Sequence, residues 1–434
     1  MPSTSTKNSL ALWGGIECTI NRVGDRYQDQ SVRNGHEHRP DDITLFAELG
    51  LRTLRYPVLW ERTCPNRLDD PQWAWADDRL ARLREASIRP IVGLVHHGSG
   101  PHYATFDTDE FERDLPRYAR QVAERYPWVD AYTPVNEPLT TARFAGLYGY
   151  WYPHGRSEAL FAQILLRQCR ATVRAMVAIR QVRPDAQLIQ TEDLGYTHST
   201  TLLMDQADWD NERRWITWDL LYGRVTPDHR FWGYFRRVGI EEKDLWFLVE
   251  NPCPPSLLGV NHYITSERYL DENLVNYPPH LHGGNGRIEY VDTEVVRAAP
   301  DQRIGLAGLL MQTWERYRLP IAVTEAHLGC TVDEQMRWLW AMWQEAEQAK
   351  AAGADVQALT VWALLGSYDW HCLLTRDEGH YEPGVFDTRT GQAVPTDLAA
   401  LAQRLAIDQH PEAIVPPGPG WWDAAVQAGM LVTA

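Results

Sequence analysis

Short apolar, β-rich runs alternate with helical patterns eight times along this chain, and that alternation limits the fold more than any other feature. The candidate strands are Leu10–Glu17, Arg52–Val58, Arg89–Val95, Ala131–Val135, Gln187–Thr191, Ser256–Asn261, Ile321–Thr324 and Gln357–Ala363. Between them lie stretches with helical spacing. Leu165, Cys169, Val173 and Val177 recur every fourth residue, and Met336, Leu339, Trp340 and Trp343 form a second stripe that stops near Gly353. Repeated strand–helix units build a parallel sheet covered by helices. Eight of them in 434 residues, with no change of composition along the way, predict an α/β protein made of a single closed (β/α)8 TIM barrel with extended βα loops. A doubly wound open sheet is the alternative. It would carry a GxGxxG turn after the first strand, where this chain reads Gly14-Gly15-Ile16-Glu17.

In a barrel, the residues just after each strand build the face that meets ligands. Two glutamates arrive there. One lies in Ala131-Tyr132-Thr133-Pro134-Val135-Asn136-Glu137-Pro138, the other in Leu319-Pro320-Ile321-Ala322-Val323-Thr324-Glu325. A pair of carboxylates from separate strands is what glycosidic-bond cleavage needs: a proton donor, and an ionised nucleophile or base. A single Glu in such a place is more often a helix cap or a surface charge, but the pair, with Asn136 and Pro138 flanking one member, favours the catalytic reading. The other strand ends supply a consistent surrounding. Strand one delivers Glu17 and Asn21, strand two Arg55, strand three His96-His97, strand six Asn261 and Tyr263, and strand eight runs from Val361-Trp362 to Asp369-Trp370. Arg55 with Tyr263 would keep one carboxylate ionised, while the other needs a negative neighbour or an apolar wall to hold its proton. Asn, His, Asp and Trp side chains remain to bind hydroxyls and stack a sugar ring.

Several residues also have plainer readings. Arg55 pairs equally well with a structural carboxylate. Glu192 and Asp193, after strand five, suit either an acceptor subsite or a helix cap. His36 and His38 lie in the loop after strand one and not at its end, so no metal is expected from them, nor any cofactor. Six cysteines (Cys18, Cys64, Cys169, Cys253, Cys330 and Cys372) form no CxxC pair and read as reduced, inert thiols. A net charge of -16 and a pI near 5.4 argue against nucleic acid and give no attraction to anionic membranes. No charged segment leads into a long apolar one, and no run is long enough to span a bilayer, which predicts a soluble, cytoplasmic protein. Nineteen tryptophans include flat apolar faces suited to sugar rings. The longest irregular stretch, about Glu267 to Asp292, reads as a loop walling the site, and its Gly283-Gly284 patch lacks the lysine of a phosphate loop. The barrel is assigned to residues 1–410. Residues 411–434, with Pro416-Pro417-Gly418-Pro419-Gly420, read as a tail or linker whose Trp421-Trp422 either docks on the barrel or leads to a partner domain.

Seven ordered segments resemble glycoside hydrolase family 1, the retaining β-glucosidase family, over nearly the whole chain. They are Leu12-Trp13-Gly14, Leu54-Arg55-Tyr56, Leu94-Val95-His96-His97, Thr133-Pro134-Val135-Asn136-Glu137-Pro138, Val260-Asn261-His262-Tyr263, Val323-Thr324-Glu325 and Val361-Trp362-Ala363-Leu364-Leu365. The resemblance implies that Glu137 is the acid/base and Glu325 the nucleophile. It makes Asn136 the partner of the sugar 2-hydroxyl and has Arg55 and Tyr263 steady Glu325. Asn21, His96, Trp362 and Asp369 would floor the sugar pocket, with Asn261 beside them as a substrate-binding residue.

The chain also departs from the family's pattern. Asn21 stands in place of Gln, Asp369 in place of the Glu that contacts the sugar's 4- and 6-positions, and His97 in place of Trp. Ala326-His327 replaces Asn-Gly after the nucleophile, and Gly366-Ser367 replaces Asp-Asn on strand eight. The expected function is a retaining β-glycosidase acting on a carbohydrate substrate by double displacement. The alternatives are a sugar-binding or regulatory barrel with weakened catalysis, and a transglycosidase.

Overall fold

The computed structural model describes residues 9–407 and 411–423. Its eight parallel strands are β1 (Ala11–Gly15), β2 (Thr53–Pro57), β3 (Arg89–Gly93), β4 (Ala131–Thr133), β5 (Gln187–Asp193), β6 (Leu257–Tyr263), β7 (Ile321–His327) and β8 (Val356–Val361). Each pairs in parallel with its sequence neighbours, and β1 closes the ring against both β2 and β8. All eight expected strands are therefore present, shifted at their ends by a few residues. No open-sheet edge remains in the ring.

The strand sequences explain why they pack this way. A parallel barrel strand is buried on both faces, so it carries an apolar run and not an alternating one. Side chains turned inward, Trp13, Ile91, Ala131, Ile189, Leu257, Ala322 and Ala358, form one compact layer on the barrel axis. The opposite faces join the larger core beneath the helices. Those helices are α1 (Asp42–Glu48), α2 (Ala74–Glu85), α3 (Asp109–Arg125), α4 (Glu158–Arg180), α5 (Ile216–Leu221, among several short helices after β5), α6 (Gly305–Tyr317), α7 (Val332–Ala351) and α8 (Asp397–Ala406). Ser157 caps α4 by accepting from the Leu160 N–H, and Thr331 caps α7 through the Glu334 N–H.

One expected stripe fails at its end. Leu165, Cys169 and Val173 are buried, but Val177 is 55% exposed. Each i+4 step overshoots a 3.6-residue turn by about 40°, so three steps carry a side chain roughly 120° off the buried face. Another expectation changes. Within the stretch read as a loop from Glu267 to Asp292, the segments Glu267–Asp271, His282–Gly284 and Glu289–Glu294 pair with Tyr196–Ser199 in a four-stranded side sheet. Residues 411–423 lie against the barrel, with Trp422 buried edge-on to Trp338 on α7 at 5.1 Å between rings and Arg337 donating to the Pro417 carbonyl. Residues 424–434, the rest of the expected tail, lie outside those described. Among the described residues no helix is long and apolar enough to cross a membrane.

Candidate active site

Both glutamates stand where backbone irregularity aims them into the mouth of the ring. Beyond the end of β4, pairing with the strand-three segment continues, since the Val95 N–H donates to the Pro134 carbonyl at 3.1 Å and the Asn136 N–H to the Val95 carbonyl at 2.9 Å. Glu137 then takes a left-handed conformation, φ 45° and ψ 63°, and Pro138 starts a short helix ending at Ala142. A non-glycine residue held this way costs about 1–3 kcal/mol, which the surrounding structure must offset. On β7 the register against β6 skips Thr324, so that Val323 faces Val260 and Glu325 faces Asn261. Such a bulge re-aims the next side chain.

Arg55, on β2, ties these elements together. Its Nη1 donates to Glu325 Oε1 at 2.6 Å and to the Thr324 carbonyl at 2.8 Å, and its Nη2 donates to Asn136 Oδ1 at 2.7 Å. Thr191 also donates to Asn136 Oδ1 at 2.7 Å, which fixes the amide with Nδ2 toward His96 and His97, 3.4 and 3.3 Å away. Tyr263 donates to the second oxygen of Glu325. Asn261 accepts from Thr324 through Oδ1 at 2.6 Å and donates through Nδ2 to Glu137 Oε1. The other oxygen of Glu137 lies 3.7 Å from His97 Nε2, whose ring holds Thr141 at 3.0 Å through Nδ1. Trp362 stacks on His96, rings 5.5 Å apart and 9° from parallel, beneath the Arg55 guanidinium at 4.8 Å. Only glycine fits at position 15, because a Cβ there would lie 2.3 Å from the Trp362 ring.

The two carboxyls are electrostatically unequal. Burial and the charge of Glu325 push Glu137 well above the usual carboxylate range, with Asp193 and Glu192 adding to this and the Asn261 amide opposing it. Burial also raises Glu325, but there the Arg55 charge and hydrogen bonds from Tyr263 and Arg55 pull the other way. Tyr263 is held far above its ordinary value, chiefly by burial and then by Glu325, so it remains a donor. His96 and His97 are both buried neutral, His97 lowered to about 3 by burial and Arg55. The arrangement favours a proton on Glu137 and a charge on Glu325.

Expected pocket residues divide in two. Arg55, His96, Asn136, Asn261, Tyr263 and Trp362 converge with the glutamates. Asn21 is buried but donates through Nδ2 to the Leu374 carbonyl at 3.3 Å, and among the described residues its Oδ1 has no partner. Asp369 is turned to the protein. Its carboxylate accepts from Arg33 at 2.7 Å and from the backbone N–H groups of Glu378, Gly379 and His380 at 3.1, 3.2 and 2.8 Å. Through these contacts Asp369 braces the loop after β8. His36 is satisfied by Asp42 at 2.9 Å and Tyr56 at 2.7 Å.

Two buried carboxyls received less weight in the sequence than the structure gives them. Glu17 receives the Trp362 indole N–H at 3.3 Å and the Thr19 N–H at 2.9 Å, and burial raises its pKa, with Glu325 adding to the effect. Glu192 caps the helix behind Glu137, accepting from the Leu139 N–H at 2.8 Å and from the Thr217 hydroxyl on α5. Burial lifts it from 4.5 to about 8. A raised carboxyl contributes stability below its unfolded pKa that is lost as pH climbs through the folded value. Glu192→Gln should therefore remove a loss of stability between about pH 4.5 and 8. By urea denaturation the variant should gain a few kcal/mol on wild type at pH 9 relative to pH 5. An equal difference at both pH values would show that Glu192 is ionised throughout.

Strand-end carboxylates, one steadied by arginine and tyrosine and the other buried where its protonated form is favoured, on a (β/α)8 barrel, define the glycoside-hydrolase class of site. The chain belongs to glycosyl hydrolase family 1, whose family model matches residues 13–377. It is similar to a 6-phospho-beta-glucosidase of Dickeya chrysanthemi, 25% identical over 405 residues that span 83% of this chain and 81% of the relative. It is also similar to Beta-glucosidase 47 of Arabidopsis thaliana, 22% identical over 93% of this chain and 81% of that one. Among solved structures, a beta-glucosidase from Thermotoga maritima in complex with deoxynojirimycin superposes with a TM-score of 0.71 at 18% identity, covering 92% of this chain and 98% of the other. The chain is accordingly a glycoside hydrolase of the β-glucosidase-like type.

Proposed function

We propose that the protein hydrolyses β-linked glycosides with retention, Glu325 attacking the anomeric carbon while Glu137 protonates the leaving oxygen. Water, deprotonated by Glu137, then releases the sugar from Glu325. The observation that carries this reading is the pairing of Arg55 and Tyr263 on the two oxygens of Glu325 while Glu137 is shielded and bound to Asn261. In the first step, loss of the Glu325 charge lowers the pKa of Glu137 and converts it from acid to base. Asn136, whose Nδ2 lies 3.4 and 3.3 Å from the His96 and His97 rings, would donate to the sugar 2-hydroxyl. Proton NMR of the first-formed anomer tests the stereochemistry: β product is expected, and α product overturns retention. Six unpaired cysteines suit the reducing cytoplasm.

We further propose a sugar without a 6-phosphate, although several relatives carry names such as Phospho-cellobiase in Klebsiella oxytoca. The loop that resembles the family's contact to the 4- and 6-positions carries Asp369, Asp377 and Glu378 here. The cations beside them are paired, Arg33 with Asp369 and Asp377, Arg26 with Asp377, and Arg376 with Glu378. A phosphate dianion would have to compete with these carboxylates for the loop's arginines. An aryl β-glucoside should exceed its 6-phosphate in kcat/KM by at least about tenfold, or about 1.4 kcal/mol. The opposite order would sink this assignment and leave the catalytic pair untouched.

A further inference from the structure

The loop after β8 carries a second cluster that hydrolysis does not use. His371, Cys372 and Glu378 bring an imidazole nitrogen, a thiol sulfur and a carboxylate oxygen within 4.8 Å of one another. His371 Nε2 lies 2.8 Å from Glu378 Oε2, and the His380 ring stands 4.4 Å from that of His371, centroid to centroid. We propose that this cluster is a zinc site in which His371, Cys372 and Glu378 are ligands, with the fourth position open to water or to His380.

The donor set selects the metal. Zinc accepts thiolate, imidazole and carboxylate together, at about 2.3, 2.0–2.1 and 2.0–2.2 Å, in a tetrahedron. Calcium and magnesium call for oxygen alone, and the sulfur and nitrogen exclude them as the preferred ion. Thiolate and carboxylate together neutralise the dication, and on binding the Cys372 proton passes to solvent. Tetrahedral bonds of those lengths set donors roughly 3–4 Å apart, so the present cluster closes by a side-chain shift of about an ångström.

The backbone already holds the ligands near one another. Asp369, immediately before the His371 limb, accepts from the N–H groups of Glu378, Gly379 and His380, and its own N–H donates to the His380 carbonyl at 2.8 Å. The two limbs are therefore pinned before any metal arrives. Arg376 donates to Glu378 Oε1 at 2.6 Å, which leaves Oε2 on the side of His371 and orients the carboxylate as outer partners of a metal do. The Cys372 thiol meets only backbone carbonyls, those of Asp369 at 3.2 Å and Arg376 at 3.7 Å.

The site also has a structural reach. Between the ligands, the Leu373 carbonyl accepts from the Trp151 indole at 2.7 Å and the Leu374 carbonyl accepts from Asn21. Zinc would thus clamp the loop whose Trp370 ring stands 5.7 Å from that of His97.

Full-length protein, dialysed against a chelator and reduced, is titrated with cobalt(II) as a spectroscopic stand-in. One equivalent should produce thiolate-to-cobalt charge-transfer absorption, displaced by zinc. Cys372→Ser should abolish the band. His371→Ala and Glu378→Gln should each weaken binding by more than the roughly 10–100-fold that outer partners are worth. Cys330→Ser, at the other half-buried thiol, should change nothing. In the unmutated protein, zinc should protect Cys372 from iodoacetamide, read by peptide mass spectrometry. Absence of the band, its persistence in Cys372→Ser, or equal alkylation with and without zinc overturns the site.

Discussion

Glu325→Ala should lose turnover of an aryl β-glycoside by a factor on the scale of the roughly 10⁶ seen when a hydrolase loses its nucleophile. Azide or formate should restore part of it. The small anion would occupy the space vacated by the carboxylate and attack the anomeric carbon in its place, so azide should give an α-glycosyl azide. Glu325→Gln should be equally inactive but refractory to rescue, because the amide still fills that space. The two variants should also differ in stability. Glu325→Ala strands the buried Arg55 without its 2.6 Å partner, and breaking a buried pair costs about 3–5 kcal/mol, whereas the Gln carbonyl can still accept from Arg55. Denaturation of both variants reads this. Full activity in either would remove Glu325 from the mechanism.

Glu137→Gln should lower kcat by about 10²–10⁴-fold, the usual worth of a positioned proton donor, and least for aryl groups that leave without protonation. Its larger signature is in the pH profile. On the proposed roles, activity requires Glu137 protonated and Glu325 ionised, so the rate should fall below the pKa of Glu325 and above that of Glu137. Both lie higher than for carboxyls in water, because burial penalises their charged forms, and the bell is displaced upward accordingly. In Glu137→Gln the alkaline limb should vanish while the acid limb stays. Conversely, Glu325→Gln removes the charge that raises Glu137, whose pKa should fall when followed by carboxyl-labelled NMR or infrared titration. An unchanged or higher value would show that the carboxyls are not coupled.

The barrel was legible because doubly buried strands leave continuous apolar runs, and a run such as Ile321-Ala322-Val323 admits few other readings. The side sheet was not. Pro278-Pro279 stand between its strands, Gly283-Gly284 lie inside one of them, and all are short and half-solvated. The converging residues of the site were legible because a strand end dictates direction. Asp369 and Asn21 were located but not understood, for their contacts depend on a loop in which Leu373 and Leu374 both take positive φ, 51° and 54°. Leucine carries no signal for that conformation, which the sterics of its Cβ disfavour. Glu192 shows the reverse: its capping role was open to sequence, but its influence on Glu137 depends on burial that only the assembled barrel supplies.

The account rests on Glu325 forming a covalent bond to the sugar. The most direct measurement is incubation of the intact enzyme with a 2-deoxy-2-fluoro-β-glucoside carrying an activated leaving group, followed by proteolysis and peptide mass spectrometry. The fluorine destabilises the oxocarbenium-like transition states of both steps, and the activated leaving group speeds only the first, so the adduct accumulates. The prediction is one fluoroglycosyl group per chain, on the peptide containing Glu325, with inactivation in step with labelling. Labelling of Glu137 or Glu17, or turnover of β-glycosides to α product with no adduct, would contradict it.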